Sequence, residues 1–408
     1  MGDSPLNTPP ETAPWRNLRD RYRLYVAGCI AAVVLPSLVY AGIMFYGYDG
    51  LPYLRGDCQY YFYTAVSLWN DGDLDLSNQL PSPLSRHSGD VSLDLGGRLV
   101  PKHPIWFPLL ALPFIVAFGP PGALAFNLCQ LALLLYLTYH LVARFARPPA
   151  ASLAVILTGI LSFLPHYVWN FSPDVFVTLL LVAGLVSLPS DRSPVLIRCF
   201  TAGLLFGFAV VSKYPLFLAL PGVPLLVGRP FRRTLSAFAA GFVLPLVAWA
   251  CLNVHLFGSP LVTPYDRIAV IQNDVTTVHS HRSDFNIPVW TGIRQQLFDR
   301  RLGLFFTTPV TLLALVGLPL LARRDRRAAL YLGGTLLLIF LLFSKYQWWN
   351  ASHRGNRFLM PIVVLATVPL AVLIDSTTRS LKGRRGLTKT ASGGASPDPP
   401  RVREQRHE

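Results

Sequence analysis

The stretch TLSAFAAGFVLPLVAWACLNVHLFGSPLVTPY, residues 234–265, holds no Asp, Glu, Lys or Arg from end to end. A helix needs about 20 apolar residues to cross the hydrocarbon of a bilayer, and this run exceeds that. A soluble helix of the same length would carry a polar stripe at a period of 3.6 residues. None is present, so the run reads as a membrane span. Outward from it, charge-free windows recur at 24–48, 105–143, 148–173, 175–190, 199–212, 214–228, 302–322, 328–344 and 358–374.

Composition agrees. The chain has 408 residues, 52% hydrophobic and 14% charged, with a mean hydropathy of +0.42. Globular chains carry about 25% charged residues. Two or three soluble domains would fit the length but not this distribution. The fold class that follows is an all-α integral membrane protein.

Lys and Arg number 36 against 21 Asp and Glu, a net charge of +15. A nucleic-acid partner does not explain the excess, because the basic residues border apolar runs. Arg16, Arg19, Arg21 and Arg23 precede the first run; Arg144 and Arg147, Arg192 and Arg198 flank later breaks. Arg229, Arg232 and Arg233 form one cluster, Arg323, Arg324, Arg326 and Arg327 another, and the tail from Arg379 to Arg406 a third. The positive-inside rule puts them all in the cytoplasm.

About ten spans satisfy that rule: 24–46, 121–143, 151–167, 172–190, 196–212, 214–228, 234–257, 303–322, 328–344 and 357–375. Segment 105–119 is then an outer re-entrant or interfacial helix, because a crossing there would invert everything after it. Residues 1–23 form a cytoplasmic segment that is too polar for a cleavable signal. Residues 24–375 form the membrane domain, and 376–408 a basic, disordered cytoplasmic tail. Of the five cysteines, only Cys58 falls outside a predicted span, so no disulfide framework is indicated. Arg outnumbers Lys 31 to 5, the usage of a GC-rich genome, which points to a bacterial inner membrane with the outer face periplasmic.

Two outer loops are long, 47–104 and 258–302, and long loops are uncommon without a task. In the first, residues 58–70 (CQYYFYTAVSLWN) read as a helix on the membrane surface. Residues 91–100 alternate around Gly96-Gly97, a short β-hairpin. Lys102-His103-Pro104 leads on into 105–119.

The candidate chemistry lies in and beside these loops. Asp57, in Arg55-Gly56-Asp57, suits a general base that takes a proton from an acceptor hydroxyl; an aspartate before a helix also serves as an N-cap. Asp71, Asp73 and Asp75 form a D-x-D-x-D string that suits a divalent cation or sugar, or simply a solvated turn. No cofactor is required on this reading, and no metal-ligand motif is present. Asp174 follows Pro173 at a helix start, where an acid is ordinary chemistry and a substrate contact is the alternative. Lys213 stands between two apolar runs, placed either to meet an anion or to snorkel. Arg354 and Arg357 can grip a phosphate or anchor the interface, and Lys102 with His103 has the same reach. Tyr60, Tyr265, Trp348 and Trp349 offer rings for stacking on sugars. The sequons Asn170–Ser172 and Asn350–Ser352 face outward.

Together these pieces resemble the GT-C superfamily of membrane glycosyltransferases. The closer likeness is to the bacterial dolichyl-phosphate-mannose–protein mannosyltransferase-like and aminoarabinose-transferase-like branch. It runs from about Tyr25 to Asp375, through RGDCQYYFYTAVSLWNDGDLDL (55–76), SLDLGGRLVPKHP (92–104), NFSPDVFVTLLL (170–181), GLLFGFAVVSKYP (203–215), NVHLFGSPLVTPY (253–265), GLFFTTPVTLLALVGLPLL (303–321) and WWNASHRGNRFLMP (348–361). The resemblance implies inverting transfer of a sugar from a polyprenyl-phosphate carrier to a glycan, lipid or protein acceptor at the outer face. Asp57 would then be the base, with Lys213, Lys102 and Arg357 holding the leaving phosphate. The chain departs from the branch at Cys58-Gln59, where a second acid is common, and at Asn350-Ala351 in place of small glycines. No large C-terminal soluble domain is seen. A multi-pass transporter or lipid flippase is the rival reading, disfavoured because no internal repeat is evident.

Overall fold

The computed structural model describes residues 14–189, 195–227, 231–272, 275–280, 284–351 and 354–392. Arg192, Arg229 and the end of the tail, 393–408, lie outside the described residues.

The protein is mostly helical, as its apolar runs dictate. In chain order the helices are α1 (Pro14–Gly42), α2 (Asp57–Asn70), α3 (Trp106–Phe118), α4 (Pro120–Val142), α5 (Pro148–Ile160), α6 (Asp174–Ser187), α7 (Val195–Ser212) and α8 (Val223–Leu226). They continue with α9 (Phe231–Phe257), α10 (Val289–Phe298), α11 (Leu304–Thr307), α12 (Pro309–Arg324), α13 (Arg326–Ser344), α14 (Met360–Leu365) and α15 (Thr367–Ser392). Six segments among the described residues are long and apolar enough to cross a membrane: Asp20–Gly47, Pro120–Val142, Val195–Ser212, Phe231–Phe257, Arg326–Ser344 and Arg357–Leu381. Helices α3, α5 and α6 are apolar but shorter. Exposed Leu38, Val243, Leu244, Val247 and Leu337 give the long helices apolar outer sides. The protein is therefore a multi-pass membrane protein.

Helices α7 and α9 make the most extensive pair. Gly203 and Gly207 on α7 lie against the backbone of Phe238 and Phe242 on α9, and Gly241 on α9 against that of Phe200 on α7, so closely that a methyl on Gly203 would overlap the carbonyl of Phe238. Small residues four apart let helix backbones approach without a hydrophobic driving force, the usual device within lipid.

Two expectations are corrected. Residues 214–228 are not one helix: a 3-10 segment, Tyr214–Ala219, is followed by the single turn α8. Pro215, Gly222 and Pro224 explain this, since proline removes an amide donor and clashes with the preceding turn. At the other end, α15 runs on to Ser392, past the point at which composition predicts an irregular tail.

The fold is not purely α. The hairpin in the first long loop forms as expected, with β1 (Val91–Leu93) paired to β2 (Leu99–Pro101). The second long loop adds β3 (Ile268–Gln272) and β4 (Val275–His279), giving an antiparallel sheet of order β2-β1-β3-β4. Ser92 sits opposite both Val100 and Ile268, so the two long loops join into one unit. Its small core packs Tyr60 from α2 against Leu76, Leu80, Val91, Leu99, Ala269 and Ile271. Helix α3 packs on both α2 and α4, which ties this unit to the bundle.

Candidate active site

Four separate elements bring charge to one cavity. Gly56, at φ +56°, turns the chain in a way an L side chain resists, and Asp57 becomes the first residue of α2. Gly355, at φ +67° and close against the Phe163 ring, makes a second such turn just before Arg357. Asn356 then caps the 3-10 turn Arg357–Leu359, its side-chain oxygen accepting from the Phe358 amide at 3.0 Å. Asp174 opens α6 after Pro173, and Lys213 follows the last residue of α7.

The charges alternate in sign along one chain of contacts. Lys213 Nζ donates to Asp174 Oδ1. Asp174 Oδ2 lies 3.9 Å from Arg357 Nε, and Arg357 Nη2 donates to Asp57 Oδ2 at 2.5 Å. Asp57 Oδ1 then faces His103 Nε2 at 3.3 Å and Lys102 Nζ at 3.9 Å. Lys102 Nζ donates to Asp90 Oδ1 at 3.0 Å. Buried charges persist only when paired, and here each cation has a carboxylate beside it. All six charged residues and His103 line a cavity of about 770 Å³.

Pairing is incomplete in hydrogen-bond terms. Among the described residues, Arg357 Nε and His103 Nε2 are buried without an aligned hydrogen-bond partner. Such orphaned groups are rare in folded proteins and call for an explanation.

Asp57 is electrostatically set. Burial works to raise its pKa, but His103, Arg357 and Lys102 outweigh it and hold the carboxyl well below the ordinary range. Burial lowers the pKa of His103, against the opposing pull of Asp57. Cys58 stands where the resembling branch commonly carries a second acid. It is a buried thiol pushed up to about 12 by burial, so it adds no charge. It donates to Asn170 Oδ1 at 3.1 Å.

Aromatic rings form the walls. Tyr61 stacks on His103, with ring centres 4.8 Å apart, and the Tyr265 hydroxyl meets His103 Nδ1 at 2.9 Å. The Phe358 ring centre lies 4.5 Å from the Lys213 ammonium. Trp348 edges the cavity, its indole N–H donating to Asp284 at 3.1 Å.

Of the residues singled out from sequence, Asp57, Lys102, His103, Asp174, Lys213, Tyr265, Trp348 and Arg357 meet at this cavity. Arg354, Trp349 and Tyr60 do not line it, and neither does the acidic string Asp71, Asp73 and Asp75. Arg354 is exposed, and its charge acts on Tyr48 and His166. Trp349 is buried outside the lining. Tyr60 packs into the core of the sheet unit instead, because one residue along α2 rotates the side chain by about 100°. Tyr61, four residues after Asp57, faces the cavity, a spacing legible in the sequence.

The remaining alternatives resolve locally. Gly56, and not Asp57, is the N-cap of α2. Asp73 and Asp75 accept from amides two residues on, so the acidic string folds into its own turn. No group of three or more His, Cys, Asp or Glu suited to a metal gathers among the described residues. Asn170 of the first sequon is buried, and Ser352 of the second lies outside the described residues.

Comparison with solved structures shows the fold. The chain is similar to ArnT from Cupriavidus metallidurans bound to undecaprenyl phosphate, at 15% identity and a TM-score of 0.50, over 94% of this chain and 64% of that one. It is also similar to the oligosaccharyltransferase AglB from Archaeoglobus fulgidus in complex with an inhibitory peptide and a dolichol-phosphate, at 14% identity and a TM-score of 0.51, over 94% and 53%. The chain thus spans less than two thirds of the length of these structures. No protein of curated function matches it by sequence. The model of Glycosyltransferase family 87 matches residues 103–344, more than half of the chain, and the protein belongs to that family.

Proposed function

We propose that the protein moves a sugar from a polyprenyl-phosphate carrier to an acceptor hydroxyl at this cavity. The observation that carries the reading is the alternating set of buried and half-buried charges whose cations keep unengaged donors beside open volume. A phosphate ester supplies the missing acceptor oxygens. Solved structures of similar fold hold undecaprenyl phosphate or dolichol-phosphate, which supports the same class of carrier here.

The chemistry is a single displacement with inversion. The acceptor oxygen attacks the anomeric carbon, the bond from that carbon to the phosphate oxygen breaks, and the acceptor proton passes to Asp57. The bonding electrons leave with the polyprenyl phosphate. Lys213, Arg357 and Lys102 stabilise that developing charge, and cations fixed in advance in a water-poor site do so most effectively. In the free protein the same cations suppress the basicity of Asp57. A carrier phosphate drawing on Arg357 relieves that suppression, so donor binding prepares the base. The basic residues that border the apolar runs support placing the site at the outer face, with both termini cytoplasmic.

The test replaces Asp57 with Asn and assays transfer in membranes. A positioned base contributes about 10²–10⁴-fold, and a loss in that range with normal expression is expected. Full activity of this variant sinks the assignment.

A further inference from the structure

The ammonium of Lys102 has three N–H donors. One goes to the Gly89 carbonyl at 3.0 Å and one to Asp90 Oδ1 at 3.0 Å. The third has no hydrogen-bond acceptor among the described residues, since Asp57 at 3.9 Å is beyond that distance. Lys102 is buried and lines the cavity, so this donor is left to whatever the cavity holds.

The turn that holds Lys102 is itself fixed from two sides. His87 Nε2 lies 2.8 Å from the Pro81 carbonyl, which only accepts, so this nitrogen carries the proton. His87 Nδ1 is then the acceptor for the Tyr60 hydroxyl at 2.8 Å, with Asp90 Oδ2 3.4 Å from the same hydroxyl. From the other side, the Gly89 amide donates to the Ala269 carbonyl and the Ile271 amide to Ser88 Oγ, which fastens the turn to β3. Tyr60 is fully buried and does not line the cavity.

We propose that Asp90 is a positioning residue: together with the Tyr60–His87 clamp it aims the unengaged N–H of Lys102 at the phosphate of the donor. The proposal rests on the transfer reading. It predicts an effect on the transition state, where the phosphate charge grows, more than on ground-state binding.

The experiment compares Asp90→Ala, Asp90→Asn and Tyr60→Phe in the full-length protein. It measures kcat and donor KM, together with retention of undecaprenyl phosphate by the purified protein. Asp90→Ala should lower kcat about 10- to 100-fold, while donor KM changes less than about 3-fold. Asp90→Asn keeps an acceptor oxygen and should recover most of that loss, which a purely charge-based role would not permit. Tyr60→Phe, which loses only a hydroxyl, should shift kcat in the same direction by a smaller factor, and it decides the matter if Asp90→Ala does not fold. Wild-type kcat in Asp90→Ala, equal losses in the Asn and Ala variants, or kcat and affinity falling together overturns the positioning role. Wild-type protein that neither retains undecaprenyl phosphate nor transfers sugar overturns the transfer reading itself.

Discussion

Two clusters at different places in the bundle use the same chemistry to different ends. Asp375, fully buried on α15, accepts from Arg147 Nε at 2.5 Å and Arg324 Nη1 at 2.9 Å, with Arg379 Nη2 3.0 Å away. Further donors are engaged nearby: Arg324 reaches the Phe145 carbonyl and Ser376 Oγ, and Arg147 reaches Thr378 Oγ1. At Asp57 and Asp174 the cations also meet carboxylates, yet Arg357 Nε and His103 Nε2 lack an aligned hydrogen bond beside an open cavity, with carboxylate oxygens at 3.9 and 3.3 Å. Exposure separates the cations: Arg147, Arg324 and Arg379 are partly exposed, whereas Lys102, Lys213 and Arg357 are nearly buried. Valence separates the clusters further: one whose donors are engaged ties helices together, and one with donors to spare beside a cavity fits a ligand.

The largest expected effect tests that contrast directly. Lys213→Met removes one cation from the site and should cut transfer by about 10²–10³-fold, the scale for losing one preorganised charge stabiliser. Because it leaves Asp174 buried without its closest cation, stability is read in parallel by thermal unfolding. A loss of activity with folded protein supports a ligand role. Activity that falls only as far as the folded fraction does would make this cluster structural too.

Asp375→Asn should do the reverse. Breaking a buried pair costs about 3–5 kcal/mol, reduced here because Arg147 and Arg379 are substantially solvent-exposed and screened. A drop in unfolding midpoint of several degrees, with activity per folded molecule kept, is the expected outcome. Normal stability would break the comparison from the other side.

Acidification sharpens it further. The depressed pKa of Asp57 contributes stability that is present above the ordinary carboxylate range and lost as pH falls through the folded value. His103 is also depressed, so the unfolded chain takes up its proton first, and stability falls as pH drops below about 6.5. Both groups act in the same direction. The unfolding midpoint should decline on acidification from about pH 7, with His103→Gln flattening the first part of the decline. The kcat/KM for transfer should show no limb from Asp57 between about pH 5 and 8, since in the free protein its cations hold the carboxyl well below the ordinary range. A limb in that range that disappears in an Asp57 variant would contradict the assigned electrostatics.

How far the sequence carries depends on how local the signal is. The apolar runs specify most helices because hydrophobicity over about 20 residues is a local property. The broken segment after Lys213 is legible too, in Pro215, Gly222 and Pro224, but run length obscures it. The β-branched residues of 268–278 mark strands by composition. What composition does not contain is that Ser92 pairs with Ile268 across the two long loops. Asp90 escapes a sequence reading for the same reason: nothing near it in the chain marks it, and only the folded turn sets it beside Lys102.

Arg354 and Arg357 show the limit within a single motif, and they give the smallest expected effect. Both stand in HRGNRF beside the same pair of tryptophans, and residue type alone offers each as a phosphate ligand. Between them Gly355, at φ +67°, turns the backbone, which leaves Arg354 exposed and Arg357 buried against Asp57. Surface substitutions away from special contacts usually change free energies by no more than about 0.5 kcal/mol. Arg354→Ala should therefore leave transfer within about 2-fold of wild type. A much larger loss would mean that the phosphate is gripped outside the cavity, and the distinction between engaged and unengaged donors would then fail where it is easiest to see.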